Sequence, residues 1–73
     1  MDDDLKRAVG HIYDWQYNNT GSFFNLLCTL IQKADPQNKE KISQSFPLLV
    51  MAMVMWDDAG DFGNELFRRY GFM

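Results

Sequence analysis

The sequence predicts an all-α fold, a compact bundle of about five short helices in a single domain spanning residues 1–73. Three observations predict it. Apolar residues recur at helical spacing along most of the chain. Proline, glycine and asparagine signals cut it into segments of helix length. No repeat, low-complexity run or linker separates those segments. At 8.6 kDa the folded surface should be roughly 4,700 Å², which excludes a second domain or a roomy internal pocket. An apolar fraction of 47% with 15% aromatic residues excludes a disordered chain.

The first helix runs from Asp2 to about Tyr17. Leu5, Ala8, Val9, Ile12, Tyr13 and Gln16 share one face, with Trp15 at its edge. Asp2, Asp3 and Asp4 open it, where a helix N-terminus favours negative charge. Gly10 costs about 1 kcal/mol against alanine in a helix interior and marks a candidate close approach. Asn18-Asn19-Thr20-Gly21-Ser22 is a polar turn, with Thr20 or Ser22 available to cap the next helix. That helix runs to about Ala34 and is apolar around most of its circumference, so it is expected at the centre of the bundle. Asp35-Pro36 starts a polar helix that ends near Ser45, with Ile42 and Phe46 as its buried contacts. The run Leu48 to Trp56 fits a buried strand or a buried helix by periodicity. Pro47 at a first helical position, three methionines, Ala52 and the Asp57-Asp58-Ala59-Gly60 stop favour helix. Asp61 is the expected cap of a last helix with Phe62, Leu66, Phe67 and Tyr70 facing inward. Gly71 then closes it.

Ten acids against seven bases give a net charge of −3 and an isoelectric point near 4.7. That balance disfavours direct nucleic-acid binding, which calls for a basic face. The longest apolar block, Phe46 to Trp56, is broken by Pro47 and falls well short of the ~20 residues of a membrane span. The acidic start is unlike a secretory leader. A cytoplasmic location is the expectation.

Little in the sequence carries chemistry. A single cysteine excludes an internal disulfide framework and a multi-cysteine zinc site. His11 is the only histidine, so no metal ligand set and no cofactor is expected. His11 reads as exposed and Cys28 as a small core hydrophobe. An EF-hand starting at Asp57 fails at Ala59, Phe62 and Arg68. The turn Asn18, Asn19, Thr20, Gly21, Ser22 is a candidate anion or nucleotide site, because amides before a helix can face a phosphate and nearby aromatics can stack on a base. It has no lysine and no P-loop frame.

The apolar residues exceed what five short helices can hide, so a contiguous patch should face outward and mark an interface. The expected oligomer face is Leu49, Met51, Met53, Met55 and Trp56, the simplest assembly being a twofold dimer. Tyr13, Trp15 and Tyr17, with Asp57, Asp58, Asp61, Arg68 and Arg69, have the look of aromatic anchors with a charged rim, and are the expected partner-binding residues.

Tyr13-Asp14-Trp15-Gln16 with Asn18-Asn19-Thr20-Gly21-Ser22-Phe23, Lys33-Ala34-Asp35 with Asn38-Lys39-Glu40-Lys41, and Phe46-Pro47 with Trp56 resemble small helical proteins encoded by phages and prophages of Gram-positive bacteria. The resemblance covers about residues 11–56. It implies no catalytic residues. It implies an accessory protein acting in the host cytoplasm, one that binds and blocks a host factor such as a CRISPR-type defence effector, or one that sequesters a nucleotide messenger. The expected function is therefore a non-enzymatic, homo-oligomeric interaction protein that binds and inhibits a protein partner. The alternative is a helical oligomer that holds a nucleotide or other small phosphate ligand.

Overall fold

The computed structural model describes residues 3–73; Asp2, expected in the first turn, lies outside them. The described residues form an all-α single domain of five helices: α1 Asp3–Tyr17, α2 Phe23–Lys33, α3 Pro36–Ser45, α4 Pro47–Ala59 and α5 Asn64–Arg69, with a short turn at Asp61–Gly63 before the last. The accessible surface of 4812 Å² is what the mass leads one to expect.

Three of the junctions are set by local chemistry. The Ser22 hydroxyl accepts from the amide of Asn25, and the Asn25 side chain answers to the amide of Ser22, a capping box that starts α2. The Asp35 carboxylate accepts from the amide of Asn38 at 2.7 Å, with Pro36 just inside α3. Phe46 ends α3 and starts α4 at once. Its amide donates to Ile42 O and its carbonyl accepts from Val50, so the chain turns a corner with no intervening loop.

The centre of the bundle is α4, not α2. Helix α4 packs against α1, α2, α3, α5 and the Asp61–Gly63 turn, whereas α2 packs against α1 and α4. The core comprises Ala8, Val9 and Ile12 from α1, Leu27, Cys28 and Ile31 from α2, Leu49, Val50, Ala52 and Met53 from α4, and Leu66 and Phe67 from α5. Both α2 and α4 are apolar enough to be central. Helix α3 decides between them. It buries no residue fully and offers only one thin strip, including Ile42. A strip that narrow covers one neighbour, and the loopless corner at Phe46 commits it to α4. The outer side of α2 is left open, with Phe23, Leu26 and Leu30 exposed.

The C-terminus folds back. Gly71 (φ +85°) allows Phe72 N–H to reach Phe67 O and Gly71 N–H to reach Arg68 O, a Schellman closure of α5. The Phe72 ring then covers Gly10, where a Cβ would lie 2.9 Å from its Cζ. The close approach at Gly10 is thus to the terminal Phe72.

Gly60 and Gly63 separate two effects of a positive φ. Both sit near +70°, but a Cβ at Gly60 meets open space while one at Gly63 would lie 2.0 Å from Trp56 Cδ1. Gly60→Ala should lower stability by about 1–3 kcal/mol, because a ψ of −171° at that φ is a conformation side chains avoid. Gly63→Ala should lower it by about 3 kcal/mol or more, because the indole must also move. Paired chemical denaturation curves check the difference.

Candidate functional site

The end of α1, the end of α4 and the start of α5 meet around Trp56. Its Nε1 donates to Gln16 Oε1 at 2.8 Å and to the carbonyl of Phe62 at 3.1 Å. Its ring lies edge-on to Trp15, with centroids 5.2 Å apart. Trp15 Nε1 donates to Thr29 Oγ1 at 2.9 Å, tying the pair to α2. Tyr17 donates its hydroxyl to Asn64 Oδ1 at the start of α5.

The segment against Trp56 is unusual. Gly60, Asp61, Phe62 and Gly63 all have positive φ, at 67°, 51°, 54° and 72°. Asp61–Gly63 is therefore a left-handed turn, closed by the amide of Gly63 on the carbonyl of Gly60 at 2.8 Å. Left-handed backbone costs a residue with a side chain about 1–2 kcal/mol, and for a bulky residue it is an outlier. The sequence reading had Asp61 capping the helix and Phe62 facing inward. Instead Asp61 is no cap, Gly63 precedes α5, and Phe62 is 76% exposed, the most open of the large apolar side chains. Pinning of its carbonyl by Trp56 turns the Phe62 ring out to solvent.

Of the acids around it, Glu65 lies in the first turn of α5, where the helix dipole favours it, but the others do not serve a helix. Asp57 and Asp58 occupy the last turn of α4, where the helix dipole disfavours negative charge. Asp61 pairs loosely with Arg68 at 3.9 Å, both groups being more than half exposed, so the pair adds little to stability. Glu65 and Arg69 are exposed on α5. Strained backbone, a solvated aromatic ring and acids set against a dipole thus share one end of the molecule. The backbone strain and the acids at the helix end cost stability, the exposed ring contributes none, and the hydrogen bonds to Phe62 O and Gly60 O hold the turn in place.

Of the expected partner-binding residues, Tyr17, Asp57, Asp58, Asp61, Arg68 and Arg69 are exposed at or near this end. Tyr13 and Trp15 are not free anchors. Tyr13 is half-buried against Phe67 and Phe72, and Trp15 is held by Trp56 and Thr29. Phe62 is the residue that sequence reasoning missed. Helical phasing placed it inside because a handedness change cannot be read from spacing. The flanking glycines, Gly60 and Gly63, were the available signal.

Of the expected oligomer face, Leu49 and Met53 belong to the core, and Met55 and Trp56 are half-buried. Only Met51 is open. The expected anion turn is occupied by its own side chains. Asn25, just 3% exposed, takes the amides of Thr20 and Ser22 on Oδ1 at 2.9 and 3.3 Å, and Asn19 takes the amide of Gly21. Asn18 donates its amide to Asp14 O. Four of the five amides are thus taken up within the chain, and the residues form a capped interhelical turn.

Comparison with protein-family models, with curated proteins and with solved structures finds no match.

The two reactive side-chain types are accounted for by packing. Cys28 is buried, and burial pushes its thiol up to about 11, leaving it protonated at neutral pH. His11 stacks on Phe24, with centroids 3.8 Å apart and planes 12° from parallel. It is half-buried rather than exposed. Burial holds its pKa below the ordinary 6.5, against the pull of Asp14 and with the help of Arg7. Among the described residues no three His, Cys, Asp or Glu side chains gather to hold a metal ion, and no helix is long and apolar enough to cross a membrane.

Two outcomes follow from these groups. Below pH 6.5 the unfolded chain takes up a proton on His11 before the folded chain does, so stability falls with pH until the folded-state pKa is passed. Denaturation midpoints at about pH 7.5 and about pH 5.5 should fall further apart in the native protein than in His11→Gln. Cys28 should resist a thiol-reactive dye in the folded protein and react at once in denaturant.

Proposed function

We propose that the chain is a small, non-enzymatic, homo-oligomeric interaction protein that docks its Phe62 end onto a protein partner. The observation that carries this reading is Phe62 itself, held in left-handed backbone and 76% exposed. Strain that stays at a solvated side chain is characteristic of sites that act on something else. An aromatic anchor ringed by charge is the usual composition of an interface hot spot. Asp57, Asp58, Asp61 and Glu65 around it suit a partner pocket that is apolar inside and rimmed by lysine or arginine. Tyr17 extends the contact across to α1.

The protonated, buried state of Cys28 and the stacking of His11 on Phe24 support a binding role over catalysis. In the sharper version of this reading the partner is a host protein, such as a CRISPR-type defence effector, and binding inhibits it in the host cytoplasm.

The test immobilises the protein and captures its partner from bacterial lysate. Phe62→Gly should weaken capture at least about 30-fold, as loss of a central anchor does. The same substitution should raise folding stability by roughly 0.5–1 kcal/mol, because glycine relieves the left-handed strain. Reversal of Asp57 and Asp58 to lysine should slow association and remove its salt dependence without unfolding the domain. Capture that is unchanged in both variants would overturn the reading.

A further inference from the structure

The exposed face of α2 is a second feature, separate from the Phe62 end. Phe23, Leu26 and Leu30 are 63%, 64% and 55% exposed, and their spacing sets them in one row along the helix. Phe46 lies beside Phe23, with ring centroids 6.0 Å apart. At the other end the row runs into a cleft between α2 and α3, where Leu30, Ala34 and Ile42 lie among Lys33, Lys41, Asn38 and Asp35.

We propose that this face is the self-association surface, two copies meeting α2 to α2 about a twofold axis. The proposal deepens the homo-oligomeric part of the reading above. Two arguments point to a second copy. The first is charge. The protein carries ten acids and a net charge of −3, yet none of those acids lies between Asp14 and Asp35. The only charge on α2 is Lys33. Asp35 lines the cleft at one end of the row, so two copies paired antiparallel can close on this face with their Asp35 carboxylates at opposite ends.

The second argument is area and symmetry. Each of the three residues leaves on the order of 100 Å² of apolar surface open. An antiparallel pairing sets Phe23 of each copy against Leu30 of the other, with the two Leu26 side chains meeting at the axis. Such a row is complementary to itself, as a twofold contact requires. Over two copies these three side chains contribute about 600 Å², to which the half-buried Phe46 and Ile42 add at the margin, the size of a small, reversible contact rather than a permanent one.

Sedimentation equilibrium on the full chain tests this. The native protein should show a mass twice 8.6 kDa at about 10–100 μM, and Leu26→Glu and Leu30→Glu should each raise the dissociation constant at least about 100-fold. Both side chains are open to solvent, so the helical circular dichroism should be unchanged. Leu26→Met should keep the dimer. A native dimer that survives both glutamates overturns this face as the interface, and a native monomer across that range overturns self-association as well. A monomer whose lysate capture is lost in Leu26→Glu assigns the face to another protein and overturns the proposal. Capture lost only in Phe62→Gly reports on the Phe62 end alone, so the two readings fail separately.

Discussion

The indole of Trp56 holds the Phe62 end of the molecule together. Its one N–H is shared between Gln16 on α1 and the carbonyl of Phe62. Its five-membered edge rests where any side chain at position 63 would have to be. Its ring leans on Trp15, which is fastened in turn to Thr29. A tight bend after α4 could have been right-handed, with Phe62 tucked beneath α5. Instead the indole lies against Gly63 and takes the Phe62 carbonyl as a hydrogen-bond partner, while the backbone winds the other way and the ring faces water.

The second organising constraint is a shortage of cover. Two helices, α2 and α4, are apolar nearly all round, and α3 has one thin apolar strip to offer. The corner at Phe46, where one residue both ends α3 and begins α4, directs that strip to α4. The apolar surplus of the chain is thereby concentrated on α2 instead of being scattered. A concentrated surplus is more useful for association than a dispersed one, because complementary burial needs contiguity.

The two surfaces differ in chemistry. The Phe62 end is acidic and strained, and it presents a single projecting ring. The α2 face is a row of three apolar side chains without acids. Under the two proposals above, the first enters a pocket on an unlike molecule and the second meets its own likeness. Cys28 and His11, the side chains that could have signalled catalysis, are absorbed into packing on α2 and between α1 and α2.

Helix number, helix type and most boundaries were legible in the residues, because each depends on chemistry within a few positions. Asp35-Pro36 and Phe46-Pro47 mark their helices locally, Gly71 closes α5 through the one backbone conformation that glycine favours, and Ser22 and Asn25 cap each other three positions apart. The excess of apolar surface was legible too, since it follows from composition and size. Its location was not. Whether α2 or α4 is enclosed depends on which of them α3 leans against, and whether Phe62 points in or out depends on an indole six positions earlier and a glutamine on another helix. Those outcomes are competitions between distant groups for the same space. The sequence alone determined that this is a five-helix domain with apolar area to spare; the tertiary packing decided which side chains remain outside, because only packing settles who covers whom.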